Sequence, residues 1–542
     1  MHPVFPILTV ASVTVAATQQ HVLLAPSSNT LPTTFIELSL HRHLSTNHCS
    51  ILDQSQTTQP DRRLSPKTPA IVSEQRRDFN NFEYIKILGT SPASVTTLTT
   101  TLCPAGATPL QHTTVAYPPP TVKQLISSGP SSNRIDVVLM GDGYTRAQES
   151  LFFDDMQRLT DEMWDAGAFE EVLPFFNVWA VFVESRESGI GVGGVAKDTV
   201  FGLYRDGTEL RGVYPSKPEV ARAVCKATGP NACDFPSLIA NDPFYGGLGG
   251  EFTIGTSSHT TGTLVLRHEF GHTMIQVGEE YDGGEAYRPY ILNFTSTGDF
   301  QRWHLRITAS GVETPDSLQV LLDGKKLDWT TSGDLDRHFS DWINNESGFS
   351  EGEHTLEFRQ GYPPASPDAP IRQLCSVTLH EFGSQEEYHF SPDYIGAFPT
   401  FSLSGKKSYR PSHESCLMRN MSSPHFCPVC KEGLFLQLLR RVSLIDDVTT
   451  TCLGDKSVAK LHLLPFAHHR KKPVFGERYV ITWFKDGEAV ERLNGKEEIA
   501  VGSLEVVGEW SVSVRIDTPI VRSDPDGILE SVQGVVWSRC GL

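Results

Sequence analysis

Two histidines in the stretch RHEFGHTMIQVGEEYDGG, residues 267–284, have the spacing of metal ligands. On an α-helix each residue adds about 100°, so His268 and His272 share one face and can direct their imidazoles at one ion. Neutral imidazole is a preferred zinc ligand. Glu269 is rotated about 100° from His268, so it can hold the water bound to the zinc and take its proton during attack on a carbonyl. The spacing predicts a zinc site with Glu269 as general base; the competing interpretation is a structural histidine pair.

The third ligand of such a site is less evident, because a catalytic zinc usually has three protein ligands and a water. A third histidine ten residues after the first is ruled out, since Gly278 stands there. On a continued helix Glu279 would lie over about 10 Å along the axis from His272. A turn at Gly278 is therefore needed, and it makes Glu280 or Glu279 the third ligand. We favour Glu280, which has one more residue of reach for folding back.

Two further candidate residues follow this acidic pair. After the turn, Tyr281 could lie near enough to hydrogen-bond the oxyanion of a tetrahedral intermediate, which predicts a catalytic role for it. Asp282 is a more distant candidate ligand. A solvated acidic turn is the alternative interpretation of each carboxylate, and the choice between Glu279 and Glu280 stays open.

The elements that must position these residues form an α/β pattern. The histidines lie in GTLVLRHEFGHTMIQV, whose apolar content predicts a buried helix with Thr263 as its N-cap. Three apolar runs upstream are typical of buried strands, and one segment has apolar residues every three to four positions, as in a helix. The strand-like runs are within 134–145, 176–185 and 237–250, and the helical segment is within 147–169. Strand, helix, strand, strand, helix is an α/β arrangement.

Composition divides the rest of the chain into further segments. Residues 18 to about 75 are rich in Ser, Thr, Gln and Pro. After the histidine helix, strand-like runs are separated by turn signals such as Asp323-Gly324. The predicted segments are a signal peptide at 1–17, a disordered arm or propeptide at 18–75, a small β unit at 76–120, the α/β domain at 131–293 and 373–445, an inserted β-sandwich at 294–372 and a C-terminal Ig-like β module at 446–542.

Charge and the N-terminus indicate where the protein works. A formal net charge of −18 over 542 residues argues against nucleic acid or an anionic membrane as partner. The apolar N-terminal run is too short to span a bilayer, and Val15 and Ala17 suit positions −3 and −1 of signal-peptidase cleavage. Sequons at Asn293, Asn345 and Asn420 are compatible with a glycoprotein. We therefore expect a secreted, extracellular protein with no membrane attachment after signal removal.

Cysteine spacing suggests one local disulfide and leaves a second motif open. Cys225 and Cys233 are close enough to bridge one loop. Cys427 and Cys430 form a lone CxxC, and no second ligand pair at suitable spacing would make it a zinc knuckle. In a secreted chain structural disulfides are the favoured interpretation of this motif, with unknown partners.

Several blocks of sequence in order carry a family resemblance. They are GDGYT (141–145), FFNVWAVFVESRESG (175–189), NDPFYGG (241–247), HEFGHTMIQVGEEY (268–281), YRP (409–411), CLMRN (416–420) and FCPVCKE (426–432). Together they resemble the IgA peptidase family of zinc metallopeptidases, which has bacterial members and fungal secreted homologues. The resemblance covers about 134–291 and 373–440, and a run of such blocks is far more specific than HExxH alone.

The resemblance implies a secreted zinc endopeptidase of metzincin-like architecture that acts on protein or peptide substrates. His268 and His272 match the family's zinc ligands, and Glu269 matches its general base. Met418 looks like the methionine of a turn beneath the zinc. The family's usual acidic pair is Asp-Glu where this chain has two glutamates at 279–280, which supports the second position as ligand. The specificity for immunoglobulin A in the family name is not carried over.

Two other functions compete with this interpretation. A catalytically inactive secreted binding protein could retain a peptidase scaffold and use its β modules for adhesion, but the intact HExxH and acidic pair argue against it. An amidase or deacetylase would also use zinc, but HExxH on a helix is chiefly a peptidase device. The natural substrate, the cleavage preference, any propeptide latency and the oligomeric state do not follow from the sequence.

Overall fold

The computed structural model describes most of the chain from residue 34 onwards. The described residues are 34–57, 61, 63–77, 81–110, 116–164, 167, 169–206, 212–275, 277, 278, 280, 291–331, 333, 335–361, 372–384, 386–402, 405–502, 504–538 and 540. The predicted signal peptide at 1–17 lies outside these ranges, as do Glu279, Tyr281 and Asp282. Within them, no helix combines the length and the apolar character needed to cross a membrane.

The N-terminal unit is a sheet covered by one helix. Its elements are β1 (Phe35–His43), β2 (Cys49–Thr57), β3 (Ala70–Arg77), β4 (Phe82–Gly89), α1 (Pro92–Leu102) and β5 (Ala107–Pro109), with strand order β3-β4-β1-β2-β5. The Cys49–Cys103 disulfide joins β2 to the end of α1. From Phe35 onwards, these strands correct the prediction of a disordered arm at 18–75, and residues 18–33 lie outside the described residues. The composition is polar there because only alternate side chains of a one-sided sheet face the core. A role as a propeptide stays a prediction.

The central unit has the predicted α/β order. Its first elements are β6 (Thr121–Ile126), β7 (Ile135–Asp142), α2 (Glu149–Trp164), β8 (Phe176–Phe182), β9 (Leu203–Tyr204), β10 (Tyr214–Pro215), α3 (Pro218–Cys225), β11 (Phe235–Ala240), β12 (Thr253–Thr256) and α4 (Gly262–Ile275). The main sheet runs β12-β11-β7-β8-β6, parallel except for β6. Every residue of β7 is buried, because helices cover both faces of the sheet. The Cys225–Cys233 disulfide is confirmed.

The histidine helix α4 differs at both ends from the prediction. It begins at Gly262, so Thr263 lies inside it and is not its N-cap. The turn before the helix is closed by Ser258 and not by Thr263. The Ser258 hydroxyl accepts from the backbone N–H of Thr260 and Thr261 at 3.1 and 2.9 Å. The helix ends at Ile275, three residues before the glycine predicted to break it.

A two-sheet sandwich is inserted after the histidine helix. Its strands are β13 (Ile291–Ser296), β14 (Arg302–Ser310), β15 (Leu318–Leu322), β16 (Lys325–Lys326), β17 (His338–Asn344), β18 (Gly352–Gln360) and β19 (Gln373–Phe382), in sheets β13-β18-β15-β16 and β17-β14-β19. The predicted boundary at 372 is one strand too early, because β19 pairs with β14 from Arg302↔Phe382 to Ser310↔Gln373. Asp336 connects this sandwich to the start of α4 by accepting from Ser258 Oγ at 2.5 Å and Thr261 Oγ1 at 2.7 Å.

The chain then returns to the central unit before a C-terminal sandwich. The returning elements are β20 (Phe398–Phe401), β21 (Lys407–Arg410) and α5 (Pro428–Leu439). The sandwich has strands β22 (Ile445–Leu453), β23 (Lys456–Leu463), β24 (Arg478–Lys485), β25 (Glu488–Ala489), β26 (Glu498–Gly502), β27 (Trp510–Asp517) and β28 (Glu530–Val535), in sheets β22-β23-β26 and β25-β24-β27-β28. Its apolar core is continuous with that of the central unit. There the ring centroid of Phe175 lies 4.7 Å from that of Phe466, in a tilted arrangement, and 5.5 Å from that of Phe435, edge to face.

Candidate active site and metal centre

The helix α4 brings the two predicted histidines together. Their Nε2 atoms are 3.1 Å apart, and His268 is buried while His272 is half-buried. Each Nδ1 faces a backbone carbonyl: Leu417 O lies 3.4 Å from His268, and Val277 O lies 2.9 Å from His272. A carbonyl only accepts, so each Nδ1 is assigned the proton and each Nε2 the lone pair. This is the arrangement in which an outer carbonyl orients a metal-binding imidazole.

The separation of the two imidazoles fits a metal ion. Two nitrogens bound to zinc at about 2.0–2.1 Å and a tetrahedral angle are about 3.3 Å apart. The observed Nε2–Nε2 distance of 3.1 Å is within a few tenths of that value. Two lone pairs at this distance repel each other unless a cation lies between them. The donor set of His268 and His272 therefore suits a zinc ion.

The turn that carries Met418 lies directly against α4. Cys416 O accepts from the backbone N–H of Arg419 at 3.0 Å and of Asn420 at 2.8 Å, which closes the turn. Gly271 lies between the histidines, and a Cβ at that position would be 2.4 Å from Met418 Sδ. Glycine is thus required for the turn to approach the helix so closely. The structure places fully buried Met418 beneath the histidine helix, in agreement with the resemblance.

The carboxylate of Glu269 lies over a glycine-rich loop. Glu269 is half-buried, and a Cβ at Gly249 would be 2.6 Å from its Oε2. Only glycine at 249 leaves this space to the carboxylate in its observed position. Glu269 is adjacent to His268 in the chain but is not needed as a ligand, which keeps it available for proton transfer.

Glu280 shows where the chain goes after α4. Its backbone N–H donates to Met418 O at 3.3 Å. Its carbonyl accepts from Thr400 Oγ1 at 3.0 Å and from Arg419 Nη1 at 3.2 Å. The backbone of Glu280 therefore lies against the Met418 turn. The Glu280 carboxylate, however, faces a thiol: its Oε1 is 3.5 Å from Cys430 Sγ.

Three free cysteines surround this carboxylate. The ligand atoms of Cys416, Cys427, Cys430 and Glu280 all lie within 4.8 Å of one another, and all four residues are buried. The prediction that Cys427 and Cys430 form structural disulfides is wrong, because both are free thiols that point into this group. Among the described residues, Glu280 is grouped with these thiols and not with the two imidazoles.

The third ligand of the histidine site consequently stays a prediction. Glu279 and Tyr281 lie outside the described residues. Burial, reinforced by the neighbouring Cys427, raises the pKa of the Glu280 carboxyl to about 7, although the hydrogen bond from Cys430 and the charges of Arg410 and Arg419 oppose the rise. Hydrogen bonds from the neighbouring Cys416 and Cys430 thiols lower the pKa of the Cys427 thiol.

The grouping of Glu280 with the three thiols was missed because the carboxylate and the thiols come from distant parts of the chain. Cys430 and Glu280 are 150 residues apart. The available signal was local: Cys416 precedes the CxxC motif closely enough to put three cysteines within residues 416–430. Such a density in a chain with few cysteines indicates a common site.

Comparison with known proteins identifies the family. The family model described as IgA Peptidase M64 matches residues 123–438, more than half of the chain. The chain belongs to this peptidase family. The matched range begins in β6 and ends in α5, so it contains the histidine helix, the Met418 turn, the thiol group and the inserted sandwich of the peptidase.

Other comparisons add little to this assignment. A search of curated proteins found no match for the peptidase. Among solved structures, a GH2 β-galacturonidase from Eisenbergiella tayi bound to glycerol is 12% identical with a TM-score of 0.11, over 45% of this chain and 34% of that one. A putative β-galactosidase from Bacteroides fragilis is 11% identical with a TM-score of 0.11, over 47% and 34% of the two chains. The chain thus spans about a third of these proteins' lengths, and the similarity carries no functional argument.

Proposed function

We propose that the peptidase is a secreted, zinc-dependent endopeptidase of metzincin-like architecture that hydrolyses peptide bonds in proteins. The observation that carries the proposal is the convergence of two carbonyl-oriented imidazoles, 3.1 Å apart at Nε2, with a carboxylate next to them in the chain. Membership of a peptidase family supports the substrate class. The signal-like N-terminus and the disulfides support secretion, because such bonds persist in oxidising compartments.

The chemistry divides between the metal and the chain. His268 and His272 would hold the zinc, which when bound would supply Lewis-acid polarisation of the peptide carbonyl and lower the pKa of water toward about 7. Glu269 accepts the proton of the attacking water and returns it to the departing amine. The carbonyls of Leu417 and Val277 hold the Nδ1 protons, so that both Nε2 atoms stay available as ligands.

Two variants distinguish the role of a general base from the role of a zinc ligand. Glu269→Gln should keep the zinc and lower turnover of a protein substrate such as casein by at least about a hundredfold, because it removes the base alone. His272→Ala should lose the zinc as well as the activity, because it removes a ligand. Zinc content by mass spectrometry and initial rates on casein measure both effects.

A matched control lies in the inserted sandwich, where β19 repeats the local sequence His380-Glu381-Phe382 on a strand. Glu381→Gln changes the same chemical group in the same local sequence and should retain full activity. Undiminished turnover by Glu269→Gln would exclude its role as base. A wild-type protein that binds zinc but cleaves no peptide in a diverse library would instead favour an inactive binding protein on a peptidase scaffold.

A further inference from the structure

A second set of metal-ligand side chains lies beside the histidine site and has no part in the mechanism above. It consists of Cys416 in the Met418 turn, Cys427 and Cys430 at the start of α5, and Glu280 after α4. At most 8% of any of these residues is exposed. Three buried free thiols converging on a buried carboxylate are not explained by apolar packing, because burial of a carboxylate without compensation is costly.

The distance from Cys430 Sγ to Glu280 Oε1 matches one edge of a zinc tetrahedron, and the other ligand atoms lie close to it. Zinc–sulfur bonds of about 2.3 Å and zinc–oxygen bonds of about 2.0 Å at tetrahedral angles place sulfur and oxygen about 3.5 Å apart and two sulfurs about 3.8 Å apart. Cys430 Sγ and Glu280 Oε1 are 3.5 Å apart, and all four ligand atoms lie within 4.8 Å of one another. One ion at the centre would therefore reach all four ligands with little movement.

A carboxylate oxygen of Glu280 is independent evidence for a cation at this position. Glu280 Oε2 is buried and has no hydrogen-bond partner among the described residues. Buried carboxylate oxygens normally have a partner, so such an atom needs an explanation. A cation bound among the thiols satisfies the carboxylate directly.

We propose that Cys416, Cys427, Cys430 and Glu280 bind one structural zinc ion, separate from the zinc of the histidine pair. Binding displaces the thiol protons to solvent, and the closed four-ligand set leaves no position for substrate. Three thiolates and a carboxylate give the occupied site a net charge of about −2, by counting ligand charges against Zn²⁺. The buried guanidinium groups of Arg410 and Arg419 lie near enough to Glu280 to offset this charge.

The site would connect three segments that define the catalytic centre. Glu280 follows the histidine helix, Cys416 begins the turn whose Leu417 carbonyl orients His268, and α5 begins with the remaining two thiols. A zinc ion bound to all three segments would hold the chain that follows α4 in its observed position. A consequence, which rests on the proposed function, is that Glu280 is engaged with the thiols, so that Glu279 is the glutamate of the pair that is left for the catalytic zinc.

The test measures zinc and its ligands in the full chain, independently of activity. The wild type should hold two zinc ions per chain by mass spectrometry. The double variant His268→Ala/His272→Ala should retain one, with X-ray absorption showing three sulfur neighbours at about 2.3 Å. Cys427→Ser and Glu280→Gln should lose the sulfur-bound zinc. Cys375→Ser is the matched control, because Cys375 is also a buried free thiol but lies in β19 of the inserted sandwich, and this variant should keep both ions.

Several results would overturn the proposal. They are the absence of sulfur-bound zinc from the double-histidine variant, a disulfide between any two of the three cysteines in non-reducing peptide mapping, or unchanged sulfur-bound zinc in Glu280→Gln. The double-histidine and wild-type measurements decide the matter even where Cys427→Ser does not fold. One sulfur-bound zinc in the wild type and none at the histidines would support this site while refuting the proposed function. Loss of the histidine-bound zinc in Glu279→Gln, with the sulfur-bound zinc kept, would establish the exchange of roles between the two glutamates.

Discussion

Gly271→Ala tests whether the close approach of the Met418 turn to the histidine helix is needed for catalysis. The added Cβ would lie 2.4 Å from Met418 Sδ and 3.2 Å from Phe426 Cε1. Carbon atoms in favourable contact are about 3.5–4.0 Å apart, so the methionine must move by roughly 1 Å. Met418 and Phe426 are both buried in the main core, which leaves little room for that movement.

The expected effect is larger on activity than on stability. Overpacking a core costs about 1–3 kcal/mol, while replacing glycine by alanine inside a helix recovers about 1 kcal/mol, so the net loss of stability is about 0–2 kcal/mol. The turn that moves, however, contains two carbonyls that hold the site. The Leu417 carbonyl faces His268 Nδ1, and the Met418 carbonyl accepts from the backbone N–H of Glu280. A misplacement of about 1 Å at an active site can cost about a hundredfold in rate. We therefore expect kcat/KM to fall by about tenfold to a hundredfold.

Rates on casein, zinc affinity by competition with a chelator and thermal unfolding together measure this prediction. Gly433→Ala is the control: it is also a helix-interior change, in α5, and its Cβ would meet only Ile275 Cγ2, at 3.1 Å. Adding Met418→Ala to Gly271→Ala should remove the clash, so the two changes should be less damaging together than the product of their separate effects. Wild-type kcat/KM and zinc affinity in Gly271→Ala would refute the argument that this contact positions the site.

Two other perturbations follow from close contacts and buried charge. Gly249→Ala should lower kcat with unchanged zinc content, because its Cβ would be 2.6 Å from Glu269 Oε2 and would displace the general base; parallel rate and metal measurements check this. Glu74 is buried, which by itself would raise its pKa, but the charges of Lys86, Arg441 and Arg76 hold the pKa at about 2 instead of 4.5. This lowered pKa is equivalent to about 3 kcal/mol of stability, present above pH 4.5 and lost as the pH falls from 4.5 towards 2. Glu74→Gln should therefore destabilise the protein by about 3–5 kcal/mol at pH 7 and largely remove this acid dependence. Urea unfolding at pH 7 and 3.5 measures both effects, and equal acid sensitivity in the variant would contradict the assignment.

Local patterns in the sequence were sufficient for the histidine pair and the α/β order. A spacing of four residues places His268 and His272 on one face of any α-helix, and the helical repeat makes this independent of the rest of the fold. Buried parallel strands such as β7 are continuous apolar runs, since both faces are covered. The Cys225–Cys233 bridge was also predictable, because it closes a loop with a sequence separation of only 8.

The tertiary structure alone decided the features that depend on distant pairing. The sheet of the N-terminal unit and the assignment of β19 to the inserted sandwich depend on hydrogen bonds between separate strands, which no local period reports. Glu280 was expected at the histidines from its reach along the chain, but its carboxylate faces Cys430, 150 residues away. Reach limits which residues a segment can contact, whereas the packing of α5 and the Met418 turn against α4 determines which contact forms. The helical period thus determined which side chains share one face of α4. Long-range packing determined which other segments contact α4.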